Sequence, residues 1–496
     1  MYYSTAKRRM LSRVVIFLGV IIPSLYLYYN SPWVQQALCP SKSPSVVRYL
    51  CPAVKGQPWD LFYHLGGNGP WIPRAPESSP IELPGKCAVD QVHMISRHAE
   101  RYPTLNVGNR HLALLAKLQA PGVQLSGSLE FLREWTYFTN ISDPSFEHLT
   151  ETGPYSGTLQ SFNTGKKLRE RYDLLVKADR TTNFWTCSSS RNVETAKHFG
   201  NGFFGHTWQD DASARLHVIS EAADQGGDTL TPGDTCLKYR DDKVYGHDRG
   251  YAELAAWQDV YTRPITDRLK SDVGGIELSP LEIFGMMEMC GFEILARGSS
   301  PWCSVFSQEE WLDFEYGRDL LHFYRAGPGN DFAGAMGWLW LNATTALMAD
   351  KAASGVYFSF VHDGDIVPLL VTLGILDERK GAAFLPNSKR KPDRKWKTSD
   401  VTPMGGRLIF ERVTCHNTGL GQNLRRSYVR LFINDGIVNL EKSMLGGGLA
   451  NSVGMAQWVD MVRKKGEKFG NFKEVCGIVE DVPSSISFLQ PQYGPQ

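Results

Sequence analysis

The chain has 496 residues, with 53 Lys+Arg against 52 Asp+Glu and a formal net charge of +1. Hydrophobic and charged fractions of 42% and 21% exclude a disordered chain, and the charge balance offers no global attraction to nucleic acid. There is no heptad run, internal repeat or long low-complexity tract.

At the N-terminus, Lys7, Arg8, Arg9 and Arg13 precede an apolar run from Val14 to Tyr29, interrupted by Gly19 and Pro23. Basic flank, apolar core and polar exit are the order of a signal anchor or a signal peptide. The run is short for a membrane span. No Ala-x-Ala-like cleavage site follows it, however, and Tyr26, Tyr28, Tyr29 and Asn30 are poor residues for one. The favoured reading is a cytosolic tail over residues 1–13 and an uncleaved anchor over 14–29, giving a single-pass type II membrane protein. Secretion after cleavage is the alternative. Both put the rest of the chain in the secretory pathway, on the luminal or extracellular side. Residues 30–60, rich in Ser and Pro, read as a stem.

Two sequons, Asn140-Ile-Ser142 and Asn342-Ala-Thr344, agree with that compartment. So do 9 cysteines without Cys-x-x-Cys spacing, which disfavours zinc ribbons and thioredoxin-type sites. They read as disulfides with one thiol over, and spacing makes Cys39–Cys51 and Cys290–Cys303 plausible local pairs.

Tyr63-His-Leu-Gly-Gly-Asn-Gly-Pro-Trp71 is turn-rich and reads as an ordered surface loop. Its Gly-Gly-x-Gly lacks the flanking strand and helix of a nucleotide loop. Three later segments share one design: an apolar strand-like run, a polar cluster, then helical periodicity. Ala88–Ile95 leads into Arg97-His98-Ala-Glu-Arg101. Asn183–Cys187 leads into Ser188-Ser-Ser-Arg191 and a helix over Val193–Phe204. Gly355–Val361 leads into His362-Asp363-Gly-Asp365 and a helix over Ile366–Leu373. Such alternation predicts an α/β fold, in which ligands sit beyond the carboxyl ends of the strands. Each following helix also offers backbone N–H groups to an anion.

Helix-prone stretches at Thr158–Lys177, Tyr251–Lys270, Pro280–Met289, Glu309–Arg325 and Gly334–Ala349 predict a mainly helical cap, from segments within about 105–180 and 250–350. Arg407–Val413 and Tyr428–Ile433 alternate like antiparallel strands added to the sheet. The expected catalytic domain runs over 61–485.

Each of these residues alone is uninformative: an isolated histidine is more often structural, and Arg-x-x-x-Arg is common on wet helix faces. Their conjunction at three strand ends is specific. Hydrolysis of a phosphate monoester through a covalent intermediate needs a nucleophile, cations for the equatorial oxygens and an acid for the leaving alkoxide. His98 suits the first role, Arg97, Arg101, Arg191 and His362 the second, and Asp363 the third. Guanidinium charges should lower the pKa of His98, and a bound phosphate should raise that of Asp363 and keep it protonated in mild acid. A bell-shaped rate profile with its optimum below neutrality follows.

Rival chemistries fit poorly. A cysteine phosphatase needs Cys and Arg six apart, whereas Cys187 and Arg191 are four apart. The 12 histidines form no His-x-His or His-Glu-x-x-His pattern, although Asp363 and Asp365 mimic half a metal site. Gly-x-Ser-x-Gly is absent.

Ser96-Arg-His-Ala-Glu-Arg-Tyr-Pro-Thr104 resembles the Arg-His-Gly-x-Arg-x-Pro motif of the histidine acid phosphatases, in the form used by fungal acid phosphatases and phytases. The distant Arg191 and the His362-Asp363 pair follow in the family's order. His64–Ile72, the Gly327-Pro-Gly329 turn, Phe358–Ile366 and Tyr428–Asp435 extend the likeness over roughly 60 to 480. The resemblance implies a mixed sheet flanked by helices with a helical cap, the same residue roles, a phosphohistidine intermediate and no metal cofactor. It also implies bridges Cys87–Cys415 and Cys236–Cys476, leaving Cys187 unpaired and buried.

The motif's usual glycine is Ala99, and its methyl lies where backbone and phosphate approach. Glu100 carries no catalytic weight in this reading. Phytate would need a wide basic pocket, but Lys166, Lys167 and Arg169 read better as a wet helix face. A second class of function, a weakened membrane-anchored binder of phosphate esters, rests on Ala99 and the anchor.

Overall fold

The computed structural model describes residues 59–73, 83–140, 144–376, 385–417, 424–440 and 449–491. The tail, the anchor, the proposed Cys39–Cys51 bridge and all but the last residues of the stem lie outside them. Among the described residues no helix is long and apolar enough to cross a membrane.

Eight strands form one mixed sheet: β1 (Cys87–Arg97), β2 (Thr182–Cys187), β3 (Ala214–Ile219), β4 (Gly355–Val361), β5 (Arg407–Asn417), β6 (Leu424–Ile433), β7 (Gly436–Ile437) and β8 (Ser452–Gly454). Their order is β3-β2-β4-β1-β5-β6-β7, with β8 beside β6. β1 to β4 are mutually parallel, and β5 runs antiparallel to β1. β1 and β4 are buried because helices cover both faces, so they read as near-continuous apolar runs.

The period-2 alternation of β4 divides its side chains between two layers. Val356, Phe358 and Phe360 join Val92, Phe184, Phe199 and Ile409 in a core beneath α2 (Gly157–Tyr172) and α3 (Ser190–Phe203). On the other face, Tyr357 stacks on His93 with ring centroids 4.6 Å apart, and Trp340 Nε1 donates to Ser359 Oγ at 3.4 Å. Trp340 belongs to α7 (Ala333–Ala349), which packs with α8 (Asp363–Leu373) and α9 (Met455–Phe469).

The cap is built from α1 (Leu105–Leu118), α4 (Arg249–Leu269), α5 (Pro280–Arg297) and α6 (Gln308–Arg325). α5 and α6 both start in reciprocal capping boxes, Ser279 with Glu282 and Ser307 with Glu310, and Gly298 closes α5 at φ 89°. Two stretches expected in the cap pack on the sheet instead. Leu168 and Tyr172 of α2 join the aromatic core, and α7 places Trp340 against Phe410 of β5. Their helical character was legible, but the surface they cover was not.

Disulfides join Cys87 to Cys415, Cys236 to Cys476 and Cys290 to Cys303, and Cys187 is free and buried at the end of β2. Asn140 is exposed. Asn342 lies half-buried within α7, where the Thr344 hydroxyl donates to the Trp340 carbonyl at 2.9 Å.

Candidate active site

Parallel register sets the carboxyl ends of β1, β2 and β4 side by side. Arg97 pairs with Val361 and Thr186 with Phe360, so His98, Ser188 and His362 leave the sheet at one edge. A cleft of about 970 Å³ opens there, lined by Arg97, His98, Arg101, Arg191, His362 and Asp363 and roofed by residues of α1, α4, α5 and α6. All six sequence-predicted residues therefore meet in one place.

His98 is fixed at both backbone ends: its N–H donates to the Val361 carbonyl at 2.9 Å and its carbonyl accepts from Gly405 at 2.9 Å. Its Nδ1 lies 2.9 Å from the Ala99 carbonyl, which selects the tautomer with the proton on Nδ1. Nε2 is left with a lone pair directed at the arginine cluster, 3.4 Å from Arg101 Nε. Burial first, then the charges of Arg97, Arg101, Arg191 and His362, hold the imidazole well below its usual pKa.

Arg97 is fully buried. Its Nη1 donates to the carbonyls of Gly67 at 2.6 Å and Thr402 at 2.8 Å, and Nη2 pairs with Asp363 Oδ2 at 2.9 Å. The glycine-rich loop is thus part of the site. His64 to Pro70 are buried rather than on the surface, because the Gly67 carbonyl is needed to hold Arg97. A Cβ on Gly67 would sit 3.1 Å from Arg97 Nη1.

Arg191, in the first turn of α3, pairs through Nη1 with Glu147 Oε2 at 2.5 Å, and its Nη2 lies 3.3 Å from His362 Nδ1. The other oxygen of Glu147 accepts from the N–H of Leu105 at 2.9 Å, at the start of α1. His362 sits between Arg191 on its Nδ1 side and Glu221 on its Nε2 side, the latter at 3.7 Å. Burial would raise Glu221, but its bond to His362 holds that carboxyl down to about 2.

Asp363 carries its charge in the phosphate-free cleft. Burial alone would raise its pKa, but Arg97, His322, Arg325 and His98 hold it well below the usual carboxylate range. Arg325 Nη1 supplies a second contact at 3.4 Å. Without a bound phosphate the carboxyl is ionised.

Ala99 has no positive φ, and its N–H donates to Thr195 Oγ1 at 2.9 Å. The methyl therefore strains nothing in the backbone. Glu100 is fully buried behind the motif rather than solvated. It accepts from the Trp71 N–H at 2.8 Å, and burial pushes its pKa up to about 8. Lys166, Lys167 and Arg169 lie outside the cleft lining; Lys167 pairs with Asp435 at 3.2 Å and Arg169 with Asp173 at 2.7 Å.

Sequence reasoning missed Glu147, Thr195, Glu221 and Arg325. Only Glu221 carried a local signal, since it follows a strand as His98 and His362 do. The others reach the site from helix or loop positions with no motif around them.

A model of the histidine phosphatase superfamily (branch 2) matches residues 88–434. The chain is 31% identical over 441 residues to the phytase PHO112 of Candida albicans, covering 87% of this chain and 90% of the relative. It is 32% identical over 447 residues to the acid phosphatase PHO1 of Komagataella pastoris, again covering 87% and 90%. The solved phytase from D. castellii superposes with a TM-score of 0.77 at 27% identity, covering 89% of this chain and 93% of that one. With this fold and this cleft, the chain belongs to the histidine phosphatase superfamily, branch 2. It is a phosphoric monoester hydrolase.

Proposed function

We propose that the enzyme is an acid phosphatase that works through a phosphohistidine at His98. The observation that carries this is the orientation of His98: Nδ1 is committed to the Ala99 carbonyl, and Nε2 faces a cluster of guanidinium groups in the cleft. Arg97, Arg101, Arg191 and His362 bind the phosphoryl oxygens. Nε2 attacks phosphorus, the P–O bond to the ester oxygen breaks, and Asp363 gives that oxygen its proton. Water then attacks phosphorus as Asp363 takes its proton, the P–N bond breaks, and His98 is released. The low pKa of His98 keeps the nucleophile neutral in acid, where most imidazoles would be protonated.

The free carboxylate of Asp363 fits this role once substrate is considered. A phosphate in the cluster adds negative charge beside Asp363 and engages the same arginines, and both effects raise its pKa. Rapid-quench trapping of a radiolabelled phosphoprotein, lost in His98→Ala, tests the intermediate. Absence of label in the wild type, or its persistence in the variant, overturns it. A rate maximum in the alkaline range would sink the assignment of Asp363.

For substrate, we propose small, singly phosphorylated esters in preference to phytate. Beyond the phosphate cluster the lining carries Arg110, Arg240 and His247 alongside Asp234, Asp259 and Glu288. Arg110 is already engaged by Glu288 at 3.1 Å. A polyanion gains little from walls so nearly balanced in charge. Comparing kcat/KM for phytate and a simple alkyl phosphate tests this, and a higher value for phytate refutes it. The binder reading loses its main support, because Ala99 leaves the backbone unstrained.

The basic-flanked run over 14–29 supports a membrane anchor, and three disulfides fit a secretory, oxidising compartment. Retention of the protein in membranes after alkaline extraction is expected; full release would favour cleavage and secretion.

A further inference from the structure

β3, β2 and β4 lie side by side, and they deliver a carboxylate, a thiol and an imidazole to one point. Cys187 ends β2, Glu221 lies two residues beyond β3, and His362 caps α8. Cys187 Sγ lies 3.7 Å from His362 Nε2, and Glu221 Oε1 also lies 3.7 Å from that nitrogen. All three ligand atoms fall within 4.8 Å of one another. A tetrahedral zinc-class ion with bonds of about 2.3 Å to sulfur and 2.0 Å to nitrogen or oxygen needs separations of about 3.3–3.5 Å. The two distances to Nε2 need to close by only a few tenths of an ångström. Glu221 and His362 line the cleft, so entry is open from the substrate side.

A second observation concerns Asn192. This fully buried side chain places Nδ2 3.1 Å from His362 Nδ1, while its Oδ1 has no partner. Turning the amide over brings Oδ1 to Nδ1, where it accepts the Nδ1–H proton and frees the lone pair of Nε2; Arg191 Nη2, 3.3 Å from Nδ1, then turns its N–H away. Metal-ligating histidines are held in this way, with the opposite nitrogen donating to a fixed oxygen. Of the neighbouring cations, Arg191 is paired with Glu147 and Arg325 with Asp363, which tempers their charge beside the site.

We propose that a borderline-soft divalent cation of the zinc class binds Cys187 Sγ, His362 Nε2 and the Glu221 carboxylate, and that its binding inhibits hydrolysis. The thiol proton and any proton on Nε2 pass to solvent as the two metal–ligand bonds form, with no change of oxidation state. The bound ion removes His362 from the phosphate cluster. Its open position takes water or a phosphate oxygen in place of the productive contact. The inhibition rests on the phosphate-binding role proposed for His362, whereas the binding itself does not.

The experiment uses the full-length protein under non-oxidising conditions, with Co²⁺ as spectroscopic probe and Zn²⁺ as inhibitor. The wild type should show a near-ultraviolet thiolate-to-cobalt charge-transfer band that Zn²⁺ removes. Zn²⁺ should abolish turnover, and a chelator should restore it. Cys187→Ala should lack the band, keep its basal activity and need at least about tenfold more Zn²⁺ for the same inhibition. Cys187→Ser serves if the alanine variant folds poorly. No thiolate–cobalt band in the wild type, or equal zinc sensitivity in the variants, overturns the site. A Cys187-dependent band with turnover unaffected confirms the ligand set and refutes the inhibition, thereby placing the fault in the role given to His362.

Discussion

Arg97 Nη2 and Asp363 Oδ2 lie 2.9 Å apart and join the last residue of β1 to the first of α8. The group assigned as proton donor is thus charged at rest, and its proton must arrive with the substrate. Binding of inorganic phosphate at about pH 5 should therefore take up a proton, and affinity should rise as pH falls. Calorimetry in two buffers of different ionisation enthalpy reads this directly. The buffer dependence should disappear in Asp363→Asn; a wild type without it would exclude substrate-linked protonation.

Removing the acid penalises poor leaving groups most. Asp363→Asn should cost about 10²–10⁴ in kcat for an alkyl phosphate. p-Nitrophenyl phosphate, whose leaving group needs no proton, should lose far less. Equal losses for both esters would mean that Asp363 acts only through Arg97.

Ala99 is the departure from the family motif, and its backbone has no need of glycine. Ala99→Gly should leave kcat within about threefold and lower stability by about 0.5–1 kcal/mol through the freer unfolded chain. Steady-state kinetics with denaturant unfolding checks both parts. A large gain in kcat would show that the methyl obstructs the phosphate.

Glu147 holds Arg191 from a left-handed backbone at φ 72°, and the pair is partly exposed. Such pairs contribute up to about 1 kcal/mol. Glu147→Ala should raise KM by roughly two- to fivefold with kcat nearly unchanged. A fall in kcat alone would indicate that Glu147 acts on the reacting groups instead.

His93 limits acid stability. Its ring is fully buried with neither nitrogen bonded, and burial followed by the Arg412 charge lowers its pKa to about 3. The folded state disfavours the protonated form, so stability is full above the unfolded pKa of about 6.5. It is lost by about 1.4 kcal/mol per unit as pH falls towards 3. His93→Phe should flatten that slope in denaturant titrations between pH 7 and 4. An unchanged slope would place the acid sensitivity elsewhere.

The predicted residues were legible because each follows a strand that could be recognised from its own residues. Gly355–Val361 has the same bounds in sequence and structure, and its neighbours differ by a residue or two. β3 escaped notice because it is an edge strand: Arg215 and His217 interrupt the apolar run, and Val218 is exposed. With β3 went Glu221. The charge on Asp363 was illegible for another reason, since Arg325 reaches it from the far end of α6 and leaves no trace near residue 363. The buried state of His64–Pro70 was hidden likewise, because it depends on an arginine 30 residues away.

Cys87 and Cys415 are register partners on β1 and β5, yet 328 residues separate them. During synthesis the first of these thiols emerges long before the second, and Cys187, Cys236, Cys290 and Cys303 all appear in between. With Cys39 and Cys51 made earlier still, an oxidising lumen therefore offers Cys87 six wrong partners before the right one exists. Only thiol–disulfide exchange, guided by the pairing of the two strands, corrects an early mistake. A cell short of disulfide isomerase should consequently make less of this enzyme, while each molecule that leaves quality control turns over at the normal rate.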